Sequence, residues 1–418
     1  MKKVYRVYLL TAGAVIFPLL AERILMFPLI ERQLSAAGDA EAFGLWSWGY
    51  SLLLLVGLTI TQGSSYCILK YFSGSSIEQK KEIFNFSLDR FYKFALPSLF
   101  ICTAYVIYNQ GILRILDILP LFLLSIFLSV YQSYSLGFTA LFRVNGMFGS
   151  MFFVCVVPAV IVGISCIALK ANDLNTSYFM WLLFAAALSS VLVGLILNLR
   201  EKKKFFIKSN EEIKKETGDF KLSNEALYAS LIYLGDHGVN YIPRIALGLL
   251  SDMYSVGVFV AAMSIASLIL APISLASNVI MSILSAKTKA DFSVGKKNKY
   301  YLFVFFVGVV SAILTAVVFK YAVALLYPTM DEACKPLAMP LSIAAFAMTI
   351  ITLVRPLVLK WVSIKKVLLF SLLILAFSVV ASFLYCGEGL LSSVWVYTVT
   401  VFSLMIVWFL ASMKVKGA

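Results

Sequence analysis

Apolar runs about twenty residues long, broken by short polar gaps, recur from one end of this chain to the other. A helix needs about 20 apolar residues to cross the hydrocarbon layer of a bilayer. By that measure the runs predict spans at roughly 5–30, 44–69, 91–109, 115–138, 146–169 and 177–199. After a polar gap they resume at roughly 225–250, 255–285, 300–327, 335–359, 367–386 and 390–412. The runs are continuously apolar and do not alternate, which favours helices over barrel strands. The expected fold class is all-α integral membrane protein, with about twelve transmembrane helices.

Composition agrees with the pattern. Of 418 residues 61% are hydrophobic and 13% charged, with a mean hydropathy of +0.93. Soluble domains carry about a quarter charged residues, and no soluble core could hide this much apolar surface. The net charge of +14 would suggest nucleic acid in a soluble chain. Here the bases sit in the gaps between spans, so no nucleic-acid partner is expected. Alternate gaps hold 27 of the 35 Lys and Arg, and the others hold four. The remaining Arg23, Arg244, Lys320 and Arg355 fall within spans. Basic residues mark the cytoplasmic side, so both termini are expected there. The start, MKKVYRVYLL, resembles the charged end of a signal peptide, but the apolar stretch runs on past Glu22 and Arg23 and reads as an uncleaved first span. Six scattered cysteines form no CxxC or Cys/His cluster, so neither a metal nor a cofactor is expected.

The longest polar stretch, 200–227, divides the spans six and six. The expected organisation is a six-helix bundle at 1–199, a cytoplasmic linker at 200–224 and a second bundle at 225–418. Because six is even, both halves enter the membrane in the same direction, which predicts a parallel repeat around a central cavity. AFGLWSWGYSLLLLVGLTITQGSS (42–65) overlays SVGVFVAAMSIASLILAPISLASN (255–278) without gaps, so that Gly44 meets Gly257, Ser51 meets Ser264 and Ser64 meets Ser277. Arg32 and Arg244 stand at nearly the same offset. All eleven prolines lie in or at the edge of spans, where each can bend a helix.

A charge at mid-bilayer costs roughly 2.5–3.5 kcal/mol on insertion scales, so those retained need a reason. Glu22 and Arg23 sit in span 1, Asp236, His237 and Arg244 in span 7, Lys320 in span 9 and Arg355 in span 10. Asp236, Asn240 and Arg244 fall on one helical stripe. Each charge also has a plain structural reading. Lys320 lies near a span end and can snorkel to headgroups. Arg355 precedes Pro356 and can satisfy carbonyls freed by the bend. Asp236 can simply neutralise an arginine, and His237 can be a packed, hydrogen-bonded residue. Bases outnumber acids within the spans, so a cavity lined by them attracts anions.

At ERQLSAAGDAEAFGLWSWGYSLLLLVGLTITQGSS (31–65) and PRIALGLLSDMYSVGVFVAAMSI (243–265) the chain resembles the Wzx-type O-antigen flippases. These belong to the multidrug/oligosaccharidyl-lipid/polysaccharide exporter superfamily. Where that family often has an acid before the base of span 7, this chain has Pro243 before Arg244. The resemblance implies two six-helix bundles, alternating access and no enzymatic activity. The implied cargo is undecaprenyl diphosphate carrying an oligosaccharide repeat unit. It implies a bacterial inner-membrane location, surrounding lipids and polysaccharide polymerase machinery as partners, and coupling to H⁺ or Na⁺. Arg23, Arg244, Arg355 and Lys320 become the expected substrate-binding residues, and Asp236 and Glu22 the expected ion-coupling ones. The competing expectations are a cation-coupled antiporter of small organic molecules, which would want an acidic cavity, and a membrane-embedded polysaccharide polymerase or ligase, which would want a large outer loop.

Overall fold

The computed structural model describes residues 2–36, 41, 43–49, 51, 52, 55, 142, 147–169, 189, 192–194, 196, 197, 200, 222–285, 294–362 and 364–413. The predicted spans at 91–109 and 115–138 lie outside the described residues, as do most of those at 44–69 and 177–199 and most of the linker.

The first span is one helical rod in three parts: α1 (Lys2–Leu20), a π-helical turn (Ala21–Met26) and α2 (Phe27–Ala36). Further along come α3 (Phe148–Leu169), α4 (Leu222–Leu250), α5 (Met253–Ser285) and α6 (Val294–Leu326). Three short turns (Pro328–Met330, Asp331–Cys334, Lys335–Leu337) lead to α7 (Ala338–Trp361), followed by α8 (Ile364–Tyr385) and α9 (Leu390–Met413). Predicted and observed bounds agree closely because each helix is as long as its apolar run. The exceptions are the first span, which the sequence ends near residue 30 and the structure carries to Ala36, and α6, which starts at Val294, six residues before the predicted 300, and runs through Lys296, Lys297 and Lys299.

Local chemistry sets the joints. Asp252 caps α5: its Oδ1 accepts the Ser255 amide at 2.7 Å and its Oδ2 accepts the Ser255 hydroxyl at 2.8 Å, so donors left open at the helix start are satisfied. At the start of α9, Gly389 has φ +118°, a conformation that only glycine adopts without strain.

The described residues form two compact units. The first holds 1–22 and 52–234, and the second holds 23–51 and 235–418, so the boundary passes through the π-helical turn between Glu22 and Arg23. In the first unit, α1 packs on α3, with the Phe17 and Phe152 rings edge to face at 6.4 Å. In the second, α7 is the hub, lying against α5, α6 and α9, while α8 lies against α9. The outward stripes of α6 and α8 are apolar and bare. Leu302, Phe306, Tyr321 and Leu325 are 64–72% exposed and Leu384 is 66% exposed. Water would not tolerate such a belt on a soluble protein; hydrocarbon covers it. The molecule is a multi-pass membrane protein.

Candidate functional site: buried charges of the second unit

The polar stripe expected on span 7 exists, and it faces protein. Asp236 is 3% and Arg244 8% exposed on α4, and the Asn240 amide between them donates to the Asp236 backbone carbonyl at 3.1 Å. Helical spacing places the three in one line, and α5, α7 and α9 supply their surroundings.

At one end of the stripe, Asp236 and Arg355 form an ion pair, Nη2 to Oδ2 at 2.7 Å. The second carboxylate oxygen, Oδ1, accepts the indole N–H of the fully buried Trp408 at 3.1 Å. The Arg355 guanidinium lies 5.4 Å from the centre of the same indole ring. Three helices, α4, α7 and α9, thus meet at one carboxylate. His237 is the neighbouring residue on α4, half-buried, and within electrostatic reach of Arg355.

The structure also settles one alternative. Pro356 lacks the N–H that would serve the Thr352 carbonyl one turn before it. The Ser277 hydroxyl donates to the Thr352 carbonyl at 2.7 Å, and the Tyr300 hydroxyl to the Leu353 carbonyl at 2.6 Å. The Ser277 hydroxyl therefore serves the carbonyl that the proline leaves open, and Arg355 pairs with Asp236.

At the other end of the stripe, Arg244 sits between aromatic faces, 5.3 Å from the Tyr241 ring centre and 5.5 Å from that of Phe259. Phe259 in turn meets Tyr397 edge to face at 6.0 Å. Arg23, on the π-helical turn, lies 4.6 Å over the Phe27 ring and donates to the Ser264 hydroxyl at 3.4 Å. Phe27 meets Phe43 and Trp46 edge to face, those two stack on each other, and Tyr327 lies against Phe43. Arg23 and Arg244 are near enough to repel each other electrostatically. No carboxylate pairs with Arg244 among the described residues. Arg23 and Arg244 each rest against aromatic faces, Arg23 on Phe27 and Arg244 on Tyr241 and Phe259.

The structure thus gathers four of the expected residues, Arg23, Arg244, Asp236 and Arg355, into the second unit. Glu22 is half-buried and belongs to the first. Lys320 is exposed on the bare apolar stripe of α6, beside Val317 and Tyr321, a position that suits snorkelling. Sequence reading missed Trp408, Ser264, Tyr241, Phe259 and Tyr397, because an aromatic or serine inside an apolar run carries no sign of its role. It also missed Glu31, fully buried one position past the expected end of span 1.

Solved structures share this fold. A multidrug resistance MATE family transporter of the MOP superfamily, in an inward-facing conformation, matches 98% of this chain and 93% of its own length at 13% identity and TM-score 0.57. A MATE structure in the straight conformation matches 99% of this chain and 96% of its own at 13% identity and TM-score 0.63. A MOP superfamily transporter from Pyrococcus furiosus matches 99% of this chain and 95% of its own at 14% identity and TM-score 0.62. That protein is described as having a binding pocket of reverse polarity, suggesting a different function. No family model and no curated protein matches the sequence. The likeness establishes the all-helical, two-bundle membrane fold expected from the spans and the repeat.

Proposed function

We propose that this chain is a flippase that moves an undecaprenyl-diphosphate-linked oligosaccharide from the cytoplasmic to the periplasmic leaflet of a bacterial inner membrane by alternating access. Arg244, with Arg23 within electrostatic reach, carries the reading. A buried guanidinium is costly, and Arg244 is buried with no carboxylate paired to it among the described residues. A lipid diphosphate is an anion that would pair with it, and the aromatic faces around the two arginines suit a sugar or a prenyl chain. Asp236, paired with Arg355, and Glu22 are the ion-coupling acids, and Lys320, on the hydrocarbon-facing stripe, stays outside the cationic set. Both termini lie in the cytoplasm, as the basic gaps require. Polysaccharide polymerase machinery would receive the cargo on the far side.

The likeness to multidrug transporters favours a second reading, a cation-coupled exporter of small organic molecules. Charge separates the two. An exporter of organic cations needs an unpaired acid in its cavity, whereas here the buried acid of the stripe is neutralised by Arg355. The reversed polarity described for the Pyrococcus furiosus transporter is a precedent on the same fold.

The test is complementation of a strain lacking its own O-unit flippase, at matched membrane levels. Wild type should restore surface polysaccharide, and Arg23→Ala and Arg244→Ala should abolish it. If wild type fails with several glycan donors but lowers accumulation of cationic dyes, the exporter reading replaces this one.

A further inference from the structure

We infer that Arg355 is a tethered cation that reserves Asp236 for a proton and shuts metal cations out of the site; this rests on the ion-coupling role given to Asp236 above. A hard metal cation binds through several oxygen ligands. The Asp236 carboxylate offers two oxygens, and both are taken by donors, the Arg355 guanidinium at 2.7 Å and the Trp408 indole at 3.1 Å. Neither donor has an acceptor atom to lend. Among the described residues the surrounding elements supply neutral oxygens, those of Asn240 and Ser371, but no second carboxylate to hold a metal once Arg355 is displaced. On α4, the Asn240 amide nitrogen is committed to the Asp236 backbone carbonyl, and the neighbouring charge-bearing group is His237. From α8 come Ser371 and Leu375, which pack against Gly235 and Gly238 and carry no charge. From α7 and α9 come Arg355 and Trp408 themselves. No group of three His, Cys, Asp or Glu able to hold a metal occurs among the described residues.

A metal cation entering here would therefore have to expel Arg355 and then share a low-dielectric space with it. A proton has neither difficulty. It adds to the oxygen facing Arg355, the charged contact ends, and the other oxygen still accepts the indole N–H. The side-chain exposures fit this exchange. Arg355 is 24% exposed and Asp236 2%, so the cation has somewhere to move while the acid stays in place. Arg355 is thus the residue that determines which ion the site accepts.

Trp408 supplies a readout that involves no cargo, since its indole touches the titrating carboxylate. Tryptophan fluorescence of the purified full-length protein is followed against pH in choline chloride. It is then followed at fixed pH as NaCl replaces choline chloride at constant ionic strength. The pH-dependent component should vanish in Asp236→Asn and in Trp408→Phe, and NaCl should leave wild type unchanged. Arg355→Ala, with its cation position vacated, should gain a NaCl response that Asp236→Asn/Arg355→Ala lacks. A NaCl response in wild type that Asp236→Asn abolishes would overturn the inference, and so would a wild-type pH response unaltered by Trp408→Phe. If Asp236→Asn fails to fold, the wild-type salt titration and Trp408→Phe decide the matter. Failure of complementation with this pH response intact would remove the cargo assignment and leave the proton site standing.

Discussion

Gly44 and Gly257, which the internal overlay superimposes, meet each other in the folded chain. A Cβ added at Gly44 would stand 3.2 Å from the Gly257 amide nitrogen, and one added at Gly257 would stand 3.3 Å from the Gly44 amide nitrogen. Nearby bonds link these parts of the chain to α4 and α6. The Trp48 indole donates to the Ile245 carbonyl at 3.1 Å, and Arg32 donates to the Leu325 carbonyl, in the last turn of α6, at 2.8 Å.

Gly44→Ala should be the more damaging change at this crossing. Its methyl would drive into the Met253 carbonyl, which is backbone and cannot swing away. Gly257→Ala meets the Phe43 ring edge at 3.2 Å, a side chain that can shift. Overpacking of this kind costs about 1–3 kcal/mol, with Gly44→Ala at the upper end. Thermal melting of the two variants in one detergent should rank them in that order.

Asp236→Asn and Arg355→Gln should each cost more than the pair removed together. Removing one partner of a buried ion pair leaves a charge stranded, at about 3–5 kcal/mol, whereas removing both can be close to neutral. A double-mutant cycle on melting temperature checks this. Equal, additive losses would mean that the two groups do not interact.

Arg244→Lys should fail nearly as fully as Arg244→Ala in flippase complementation. Lysine keeps the charge but loses the planar group that rests between Tyr241 and Phe259. A lost charge-assisted contact of about 1.5–3 kcal/mol corresponds to roughly a tenfold to hundredfold fall in transport.

Ser277→Ala should destabilise by about 1 kcal/mol, the worth of one hydrogen bond, and the loss should shrink in a Pro356→Ala background. With alanine at 356 the helix recovers an N–H for the Thr352 carbonyl, so the Ser277 hydroxyl is no longer the only added donor there. Additive melting shifts would contradict this account of the bend.

Asp252→Ala should cost about 1 kcal/mol at neutral pH, as loss of a helix cap does. Burial raises the Asp252 carboxyl, but hydrogen bonds from the Ser255 amide and hydroxyl and from Ser251 outweigh it and hold the group below its ordinary value. An acid depressed in the folded state stabilises above its unfolded pKa of about 4 and loses that contribution as pH falls through the folded value. The melting difference between wild type and variant should therefore close in acid and not in base.

Span positions were legible because each depends on one property of a local run, an apolar length sufficient to cross the bilayer. The overlay set Gly44 against Gly257, and the two glycines do meet in the fold. The intramembrane charges were visible as well, since Asp236, Arg244 and Arg355 are anomalies against an apolar background. Their partners were not. Whether Arg355 served a proline-freed carbonyl or an acid 119 positions earlier depended on where Ser277 arrived from α5. Trp408 gave no sign of contacting a carboxylate, because an indole in an apolar helix reads the same whether its N–H is satisfied by an acid or by something else. The π-helical turn that carries Arg23 toward Ser264 left no mark on the apolar pattern either. Hydrophobic patterning is local and so is written in the order of residues. The pairing of buried charges joins residues far apart in the chain, and only the packing of α4, α5, α7 and α9 decided which of them would meet.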